Sequence, residues 1–527
     1  MNKQSKKILI RGVNWIGDAV LTIPAIKSIR KAFPDAHISL LVKPWVSDIF
    51  KESKDVDEVI LYGNEFKGLK GKLRLAKKLR LEKFDSSILL QNAFDAALIT
   101  WLARIPERIG YITDFRSLLL TKALPVEDDI LSQHQVYYYL NIVNSAGIKT
   151  AGIQPYLHLT NDERLRAREH LLALKDRHQP LIGINPGATF GSSKRWPPER
   201  YADVILKIIH ELNGRVVIFG SPSETEIAYS IMSLIKAKHQ EKGLQTFNSE
   251  SFILNMSGKT SLRELAALIS QCNALITNDS GPMHMASALL VPIVAIFGST
   301  NKATTGPFGQ GHKIISKNVR CAPCMKRECP DLHLKCMTDI TSDDVFTGLK
   351  EVLPRERAIF LDKDGTLIED KNYLNSFKDM IIFPEVKESL AKLTKQGFKL
   401  IGITNQSGIA RKIVDEDFVI KSNTYLKDKL GIDDFYYCPH HPDERCPCRK
   451  PGLMFALMAR IKHSVNLETS YVIGDKESDI LLAHNINATG ILLAAHPPEN
   501  TLASYIAKDL RDATDWILER ESKSSRT

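Results

Sequence analysis

Asp362 and Asp364 stand two residues apart in the run Asp362-Lys363-Asp364-Gly365-Thr366. In an extended chain such a pair faces one side. One carboxylate can then attack phosphorus while the other exchanges a proton with the leaving oxygen. Thr404 and Asn405, the basic pair Arg449-Lys450, and Asp475 with Asp479 beyond it follow in order. A phosphate dianion repels a carboxylate nucleophile until a divalent cation and a lysine neutralise it, so these pieces form one phosphoryl-transfer set. Directly before the basic pair come Cys438, His440, His441, Cys446 and Cys448. Three thiolates and an imidazole suit a closed tetrahedral Zn²⁺ site, which supplies folding energy and here braces the loop carrying Lys450.

A second set lies earlier in the chain. Asp18, in Asn14-Trp15-Ile16-Gly17-Asp18, is the one carboxylate of its turn and can deprotonate a sugar hydroxyl; as a plain helix N-cap it would do no chemistry. Asn278-Asp279-Ser280-Gly281-Pro282-Met283-His284 offers a helix start at which Asp279 or Ser280 caps, Gly281 permits close approach and backbone N–H groups meet an anion, a seat for a diphosphate. Lys194 adds a mobile positive charge for a departing diphosphate, and Glu224 can accept hydrogen bonds from a ribose. Cys321, Cys324, Cys329 and Cys336, with His333 nearby, suit either packing or a metal.

These residues need crevices to meet in. Strand-like segments at Lys7 to Ile10, Leu181 to Ile184, Val216 to Phe219, Ala274 to Thr277 and Ile293 to Phe297 alternate with helix-periodic stretches such as Leu262 to Ile269. That alternation predicts parallel sheets covered on both faces, with ligands at the carboxyl ends of the strands. Two starts of the same grammar predict two such units facing each other, residues 1–170 and 171–353. A linker at 354–357 leads to a third α/β unit over 358–520, opened by Ala358 to Leu361 and continued by Lys399 to Ile403 and Tyr471 to Ile473. Residues 521–527 read as a disordered tail.

Composition sets the partners. With 43% hydrophobic and 25% charged residues, disorder, collagen-like repeats and a disulfide-dense mini-protein are excluded. The net charge of +10 falls entirely within residues 1–354, which favours an anionic partner. Residues 66–84 carry eight basic side chains against Glu82, and Leu69, Leu73, Ala76 and Leu79 form a partial apolar face. This stretch suits phosphorylated lipid head groups at an anionic membrane. No recognised nucleic-acid module is present, and none is expected as partner. The best apolar run, Ala93 to Ala103, contains Asp95 and is too short to span a bilayer. The basic start lacks a signal-peptide pattern, and the bunched cysteines fit a reducing compartment, so the expected address is the cytoplasm, with peripheral inner-membrane contact.

The third unit resembles the phosphatases of the haloacid dehalogenase superfamily. Its Cys-Pro-His-His…Cys-x-Cys-Arg-Lys-Pro, Asp-Lys-Asp-Gly-Thr and Thr-Asn-Gln-Ser-Gly-Ile-Ala-Arg motifs look like the branch of D,D-heptose 1,7-bisphosphate and histidinol-phosphate phosphatases. The resemblance implies Asp362 as nucleophile, Asp364 as general acid and base, and Thr404 and Lys450 as phosphoryl holders. It places Mg²⁺ on Asp362, Asp475 and the backbone carbonyl of Asp364, and prefers His440 to His441 as zinc ligand. Four residues separate His441 from Cys446, a spacing nearer the histidinol-phosphate type.

Residues 7 to 350 resemble glycosyltransferase family 9, the ADP-heptose:lipopolysaccharide heptosyltransferases, and the heptosyltransferase II group in particular. The implied fold is GT-B, two facing Rossmann-like domains. Asp18 would be the base of an inverting transfer, with Lys194, Glu224, Asp279, Ser280, Gly281 and His284 lining the donor site. No DxD-type motif is present there, so no metal is expected at that site. The whole reads as a GT-B pair followed by a HAD-like Rossmannoid domain, acting on ADP-heptose, a phosphorylated lipid A-core acceptor and heptose 1,7-bisphosphate. Three rivals are a histidinol-phosphate phosphatase in the last unit, a non-catalytic sugar-nucleotide or membrane-binding module in the first two, and a polynucleotide phosphatase with a basic binding domain.

Overall fold

The computed structural model describes residues 6–172, 174, 179–241 and 251–524. The chain divides into two compact units, Met1–Val352 and Leu353–Thr527. The first unit holds two six-stranded sheets and the second holds one.

The first sheet comprises β1 (Lys7–Arg11), β2 (His37–Val42), β3 (Glu58–Leu61), β4 (Ser86–Leu89), β5 (Glu107–Tyr111) and β6 (Lys122–Leu124). The second has β7 (Leu181–Asn185), β8 (Arg215–Ile218), β9 (Ile253–Asn255), β10 (Ala274–Asn278), β11 (Ile293–Phe297) and β12 (His312–Ser316). The third has β13 (Ala358–Leu361), β14 (Lys399–Asn405), β15 (Asp434–Cys438), β16 (Tyr471–Gly474), β17 (Thr489–Leu493) and β18 (Tyr505–Ala507). Each sheet runs third, second, first, fourth, fifth, sixth strand, from one edge to the other, and the paired neighbours are parallel. That order reverses direction between the first and fourth strands, and the crevice outside their carboxyl ends is where such sheets bind ligands.

The central strands read Ile-Leu-Ile, Leu-Ile-Gly-Ile, Ala-Leu-Ile-Thr and Ala-Ile-Phe-Leu, and they are buried along their length because helices cover both faces. In the first unit, helix Ile16–Leu21 packs directly on helix Gly281–Ala288, so the two sheets meet at the carboxyl ends of β1 and β10.

Two expected boundaries move, while the division between Val352 and Leu353 falls beside the expected linker. A border at 170 would cut helix Asn161–Leu171, whose Glu163 receives both arms of Arg263 at 2.6 and 2.7 Å. That helix belongs with the second sheet, because a two-pronged ion pair and its apolar face bind it there. The linker at 354–357 is partly structured: the amides of Arg355 and Glu356 donate to the carbonyl of Ser464 at 2.7 and 2.9 Å. The tail expected from Glu521 onward is helical through Ser524. Glu521 pairs with Arg357 and accepts from the Tyr471 hydroxyl at 2.6 Å, contacts between residues far apart in sequence that tail composition does not reveal. Residues 525–527 lie outside the described residues.

The basic segment forms helix Gly68–Leu81. Its buried stripe is Gly71, Leu75, Ala76 and Leu79, not the expected Leu69-Leu73-Ala76-Leu79 face; Leu69 is 68% exposed and Leu73 47%. Gly71 takes the inner place because a Cβ there would collide with the backbone of Phe66. Among the described residues no helix is long and apolar enough to cross a membrane.

Candidate functional site

In the second unit, β13 ends at Leu361 and delivers Asp362, which is 6% exposed. Gly365 turns the chain with φ +89°, and a Cβ there would run into the Asp475 carboxylate, so the position needs glycine for both reasons. β14 delivers Thr404 and Asn405, and β16 delivers Asp475 just beyond Gly474. The Lys450 ammonium sits among them. It donates to Asp362 Oδ1 and to the carbonyl of Ile403 at 2.6 and 2.7 Å and pairs with Asp479 Oδ1 at 2.6 Å. The loop before it is fixed by Asn405, whose Oδ1 accepts from the Lys450 amide at 3.0 Å and whose Nδ2 donates to the Lys450 carbonyl at 3.3 Å. Asn405 therefore positions the lysine's backbone. Arg449 has a buried Nη1 without a hydrogen-bond partner in the structure.

Asp364 accepts from Gln406 Nε2 at 2.8 Å and from Thr404 Oγ1 at 3.4 Å. Burial raises its carboxyl pKa above the ordinary value, as a group that must donate a proton requires, while Lys363 opposes the rise. Asp362, Asp475 and Asp479 bring carboxylate oxygens within 4.8 Å of one another. Burial, followed by the charge of Asp362, pushes Asp475 up to about 7. Burial pushes Asp479 up to about 6 against the pull of Lys450. Asp475 Oδ1 is buried without a hydrogen-bond partner. A buried carboxylate oxygen left in that state is costly unless a cation meets it, and hard oxygen donors fit Mg²⁺. The expected residues thus come together, Asp479 among them, where it shares Lys450 with Asp362, and Gln406 joins them by holding Asp364. Gln406 lies two residues past Thr404, but spacing alone does not say that it turns inward.

Cys438, His440, Cys446 and Cys448 converge. The Cys448 sulfur lies 3.5, 3.3 and 3.2 Å from Cys438 Sγ, Cys446 Sγ and His440 Nδ1, and Cys438 Sγ lies 3.4 Å from Cys446 Sγ. A tetrahedron of thiolates about Zn²⁺ has edges near 3.8 Å, so the donor set fits with a small expansion. His441 is used otherwise: its Nδ1 accepts from the Asp443 amide at 3.3 Å and caps the turn Pro442–Glu444.

In the first unit, Asp18 lies in the first turn of helix Ile16–Leu21, capped by Trp15 without a side-chain bond. Burial pushes its pKa up to about 6; a hydrogen bond from Tyr139 lowers it, Asp279 raises it and Lys194 lowers it. Asp18 therefore lies within electrostatic reach of the second half. Lys194 Nζ donates to Asp279 Oδ2 at 2.5 Å, and Thr300 Oγ1 donates to the same oxygen at 2.6 Å. The ammonium also lies 4.5 Å from the centre of the Phe190 ring. The expected mobile lysine is instead seated, because the 6%-exposed Asp279 needs a counter-charge.

Ser280 is the N-cap of helix Gly281–Ala288, but its hydroxyl meets Asn185 at 3.2 Å and Thr277 at 3.0 Å instead of capping the helix. A Cβ at Gly281 would stand 3.1 Å from Ile16 Cβ, so the close approach expected there is made by the opposite half of the unit. His284 faces Gly17 across the same seam. Burial pushes His284 down to about 4, and its Nδ1 is buried without a hydrogen-bond partner. Glu224 accepts from the amide and hydroxyl of Ser221, both at 2.8 Å, and fills the space above Gly187. Sequence reasoning missed Tyr139, Thr300 and Asn185, which belong to elements remote from the motifs and carry no local signal.

The model of glycosyltransferase family 9 (heptosyltransferase) matches residues 72–335, and that of polynucleotide kinase 3 phosphatase matches residues 357–494. A lipooligosaccharide heptosyltransferase 2 of Campylobacter jejuni is 30% identical over 350 residues, covering 66% of this chain and 98% of its own. A D-glycero-beta-D-manno-heptose-1,7-bisphosphate 7-phosphatase of Helicobacter pylori is 36% identical over 173 residues, covering 32% of this chain and 99% of its own. The structure of E. coli ADP-heptose lps heptosyltransferase II aligns with TM-score 0.55 and 27% identity, covering 66% of this chain and 98% of that one. A GT-B-like α/β pair with Asp18 at its seam, followed by a HAD-like unit built round Asp362, thus belongs to glycosyltransferase family 9 in its first part and, in its last, to the heptose bisphosphate phosphatases.

Proposed function

We propose that this chain is a bifunctional enzyme of lipopolysaccharide heptose metabolism. Its first unit transfers heptose from ADP-heptose to a phosphorylated lipid A-core acceptor, and its second removes the 7-phosphate of heptose 1,7-bisphosphate. The observation that carries this reading is the presence on one polypeptide of two full-length matches to heptose enzymes, each with its reactive residues brought together.

In the phosphatase, Asp362 Oδ attacks phosphorus in line with the leaving sugar oxygen. Asp364, whose carboxyl burial biases toward the protonated form, gives that oxygen its proton. The resulting aspartyl-phosphate is then hydrolysed by a water that Asp364 deprotonates. Lys450 and Thr404 hold the equatorial oxygens, with Arg449 at the rim for the remaining phosphate charge. Asp362, Asp475 and the carbonyl of Asp364, with Asp479 close by, would hold Mg²⁺, which would supply positive charge against the dianion. Cys438, His440, Cys446 and Cys448 would hold Zn²⁺, which would brace the loop that ends in Lys450.

In the transferase, Asp18 accepts the proton of the acceptor hydroxyl as its oxygen bonds to the anomeric carbon and ADP leaves from the opposite face. With a carboxyl pKa near 6, Asp18 is mostly ionised at neutral pH yet basic enough to work. Lys194 and the start of helix Gly281–Ala288 take up the charge of the departing diphosphate, with His284 and Ser280 beside it and Glu224 at the ribose.

The acceptor side is basic. Lys43 lies 3.4 Å above the Tyr62 ring, and burial together with Arg11, Lys67 and Lys72 drives its pKa down. A phosphorylated acceptor relieves that crowding. Exposed Leu69 and Leu73 on the basic helix suit shallow insertion at an anionic bilayer. The test is phosphate release by the purified protein with Mg²⁺, comparing heptose 1,7-bisphosphate with histidinol phosphate. Faster hydrolysis of the heptose substrate is expected; preference for histidinol phosphate would refute the pathway assignment.

A further inference from the structure

Cys321, Cys324, Cys329 and Cys336 belong to neither reaction, yet they follow C-x2-C-x4-C-x6-C spacing. Three of them lie on the irregular chain between β12 and helix Lys335–Thr338, where most side chains are exposed. Met325, Leu332 and Leu334 there hold positive φ angles of 56°, 57° and 46°. A stretch of that length with so little apolar burial needs a staple to keep one conformation.

All four cysteines are free and line one small enclosed cavity of about 20 Å³, together with Ser193 and Ser299. Cys321, Cys324 and Cys329 are each close enough to act on the ionisation of Cys336. The four sulfurs are not drawn together as those of the Cys438 cluster are; Cys321 Sγ instead gathers within 4.8 Å of His333 and Asp331, so a tetrathiolate requires the loop to tighten on metal binding. The Nδ1 of His333 accepts from the Lys335 amide at 3.0 Å, which leaves the ring proton of a neutral imidazole on Nε2. That nitrogen lies 3.9 Å from Cys321 Sγ and 3.6 Å from Asp331 Oδ2, the position of a donor to a thiolate.

The loop also touches the transferase site. Ser193 donates its hydroxyl to the Lys326 carbonyl at 2.6 Å and its amide to the Arg327 carbonyl at 3.1 Å. The Met325 amide donates to Ser299 O at 2.8 Å, and a side chain at Gly191 would collide with the Arg327 carbonyl. Residues 325–327, between the second and third cysteine, are therefore the floor under Lys194.

We propose that Cys321, Cys324, Cys329 and Cys336 bind one Zn²⁺ as a tetrathiolate, and that this ion fixes the loop on which Lys194 rests. Binding exchanges the thiol protons for the metal; soft tetrahedral S₄ donors select Zn²⁺ over the hard Mg²⁺ of the phosphatase. The metal count stands alone, whereas the consequence for Lys194 rests on the donor-site reading.

The test is the zinc content of the purified full chain by mass spectrometry. Two Zn²⁺ per chain are expected, falling to one in Cys324→Ser/Cys329→Ser, to one in Cys446→Ser/Cys448→Ser, and to none with all four replaced. In Cys324→Ser/Cys329→Ser the KM for ADP-heptose should rise about tenfold while phosphate release stays within about twofold. Should that variant not fold, Co²⁺ loaded into Cys446→Ser/Cys448→Ser must show the intense visible bands of tetrahedral cobalt with a thiolate charge-transfer band. Two zinc ions retained in Cys324→Ser/Cys329→Ser, a single wild-type ion that disappears with Cys446 and Cys448, or no such cobalt spectrum would each overturn the site. Loss of zinc with an unchanged KM would overturn the brace.

Discussion

At the carboxyl end of β13 Asp362 and Asp479 share one buried lysine and Asp475 gathers beside them; at the carboxyl end of β10 one carboxylate has a lysine to itself. The strand order is the same in both sheets, so the difference lies in the loops. In the phosphatase unit burial, reinforced by the neighbouring acids, pushes Asp475 and Asp479 toward neutrality, and the Asp475 Oδ1 atom is unpartnered, a site that a divalent cation would complete. In the transferase unit the Lys194–Asp279 pair is balanced within the protein, and the reactive Asp18 comes from the other half of the unit. On the proposed reading, one fold thus offers a crevice that a cation completes and another in which a lysine supplies the positive charge, according to how many acids its loops supply.

The largest effect that sharpens this contrast is Asp362→Asn. Phosphate release should fall about 10⁴-fold or more with heptose transfer unchanged, because the nucleophile belongs to one unit alone. Asp18→Asn should do the reverse, lowering transfer by about 10² to 10⁴ while phosphate release is unaffected. A variant that damaged both reactions would break the comparison. Lys194→Met should cost about 10²-fold in transfer, since it removes the charge that meets the leaving diphosphate and strands Asp279.

A smaller effect concerns pH. Asp475 and Asp479 have folded pKa values of about 7 and 6 against an ordinary 3.8. The raised values favour the folded, metal-free unit at low pH, and that stability is lost as pH rises from about 4 through about 7. Mg²⁺ must displace those protons, so its dissociation constant should increase as pH falls below 7, and its gain in melting temperature should be greater at pH 8 than at pH 5.5. Calorimetry at the two pH values reads this directly. The smallest effect is Tyr139→Phe. Its hydroxyl lowers the Asp18 pKa, so its loss should move the acid limb of the transfer profile from about 6 upward, by no more than about one unit, with little change at pH 8.

Much of this was legible from local pattern. Asp362, Asp364, Thr404 and Asp475 sit at or just past strand ends where a periodicity of two meets a turn, and Lys450 follows the cysteine cluster; such places can be read without a structure. β11 and β13 appear with the bounds the apolar runs suggest. What stayed hidden depends on the third dimension. Gly281 looks like an anion seat in sequence, but its missing side chain makes room for Ile16, more than 260 residues earlier. Leu69 and Leu73 fit a helical stripe as well as Leu75 does, and only the crowding of Gly71 on Phe66 decides which face turns inward. Lys194 carries nothing in its neighbours to announce that Asp279 holds it. The helical end of the chain was missed because Glu521 is fixed by Arg357 and Tyr471, not by its own segment.

The central claim is that one chain houses a cation-dependent and a cation-independent reaction. Its most direct test is a Mg²⁺ titration into one magnesium-depleted preparation, with phosphate release and heptose transfer measured on the same samples. Phosphate release should climb from background to saturation while transfer stays flat. Transfer that rises in parallel with phosphate release, or phosphate release indifferent to Mg²⁺, would contradict it.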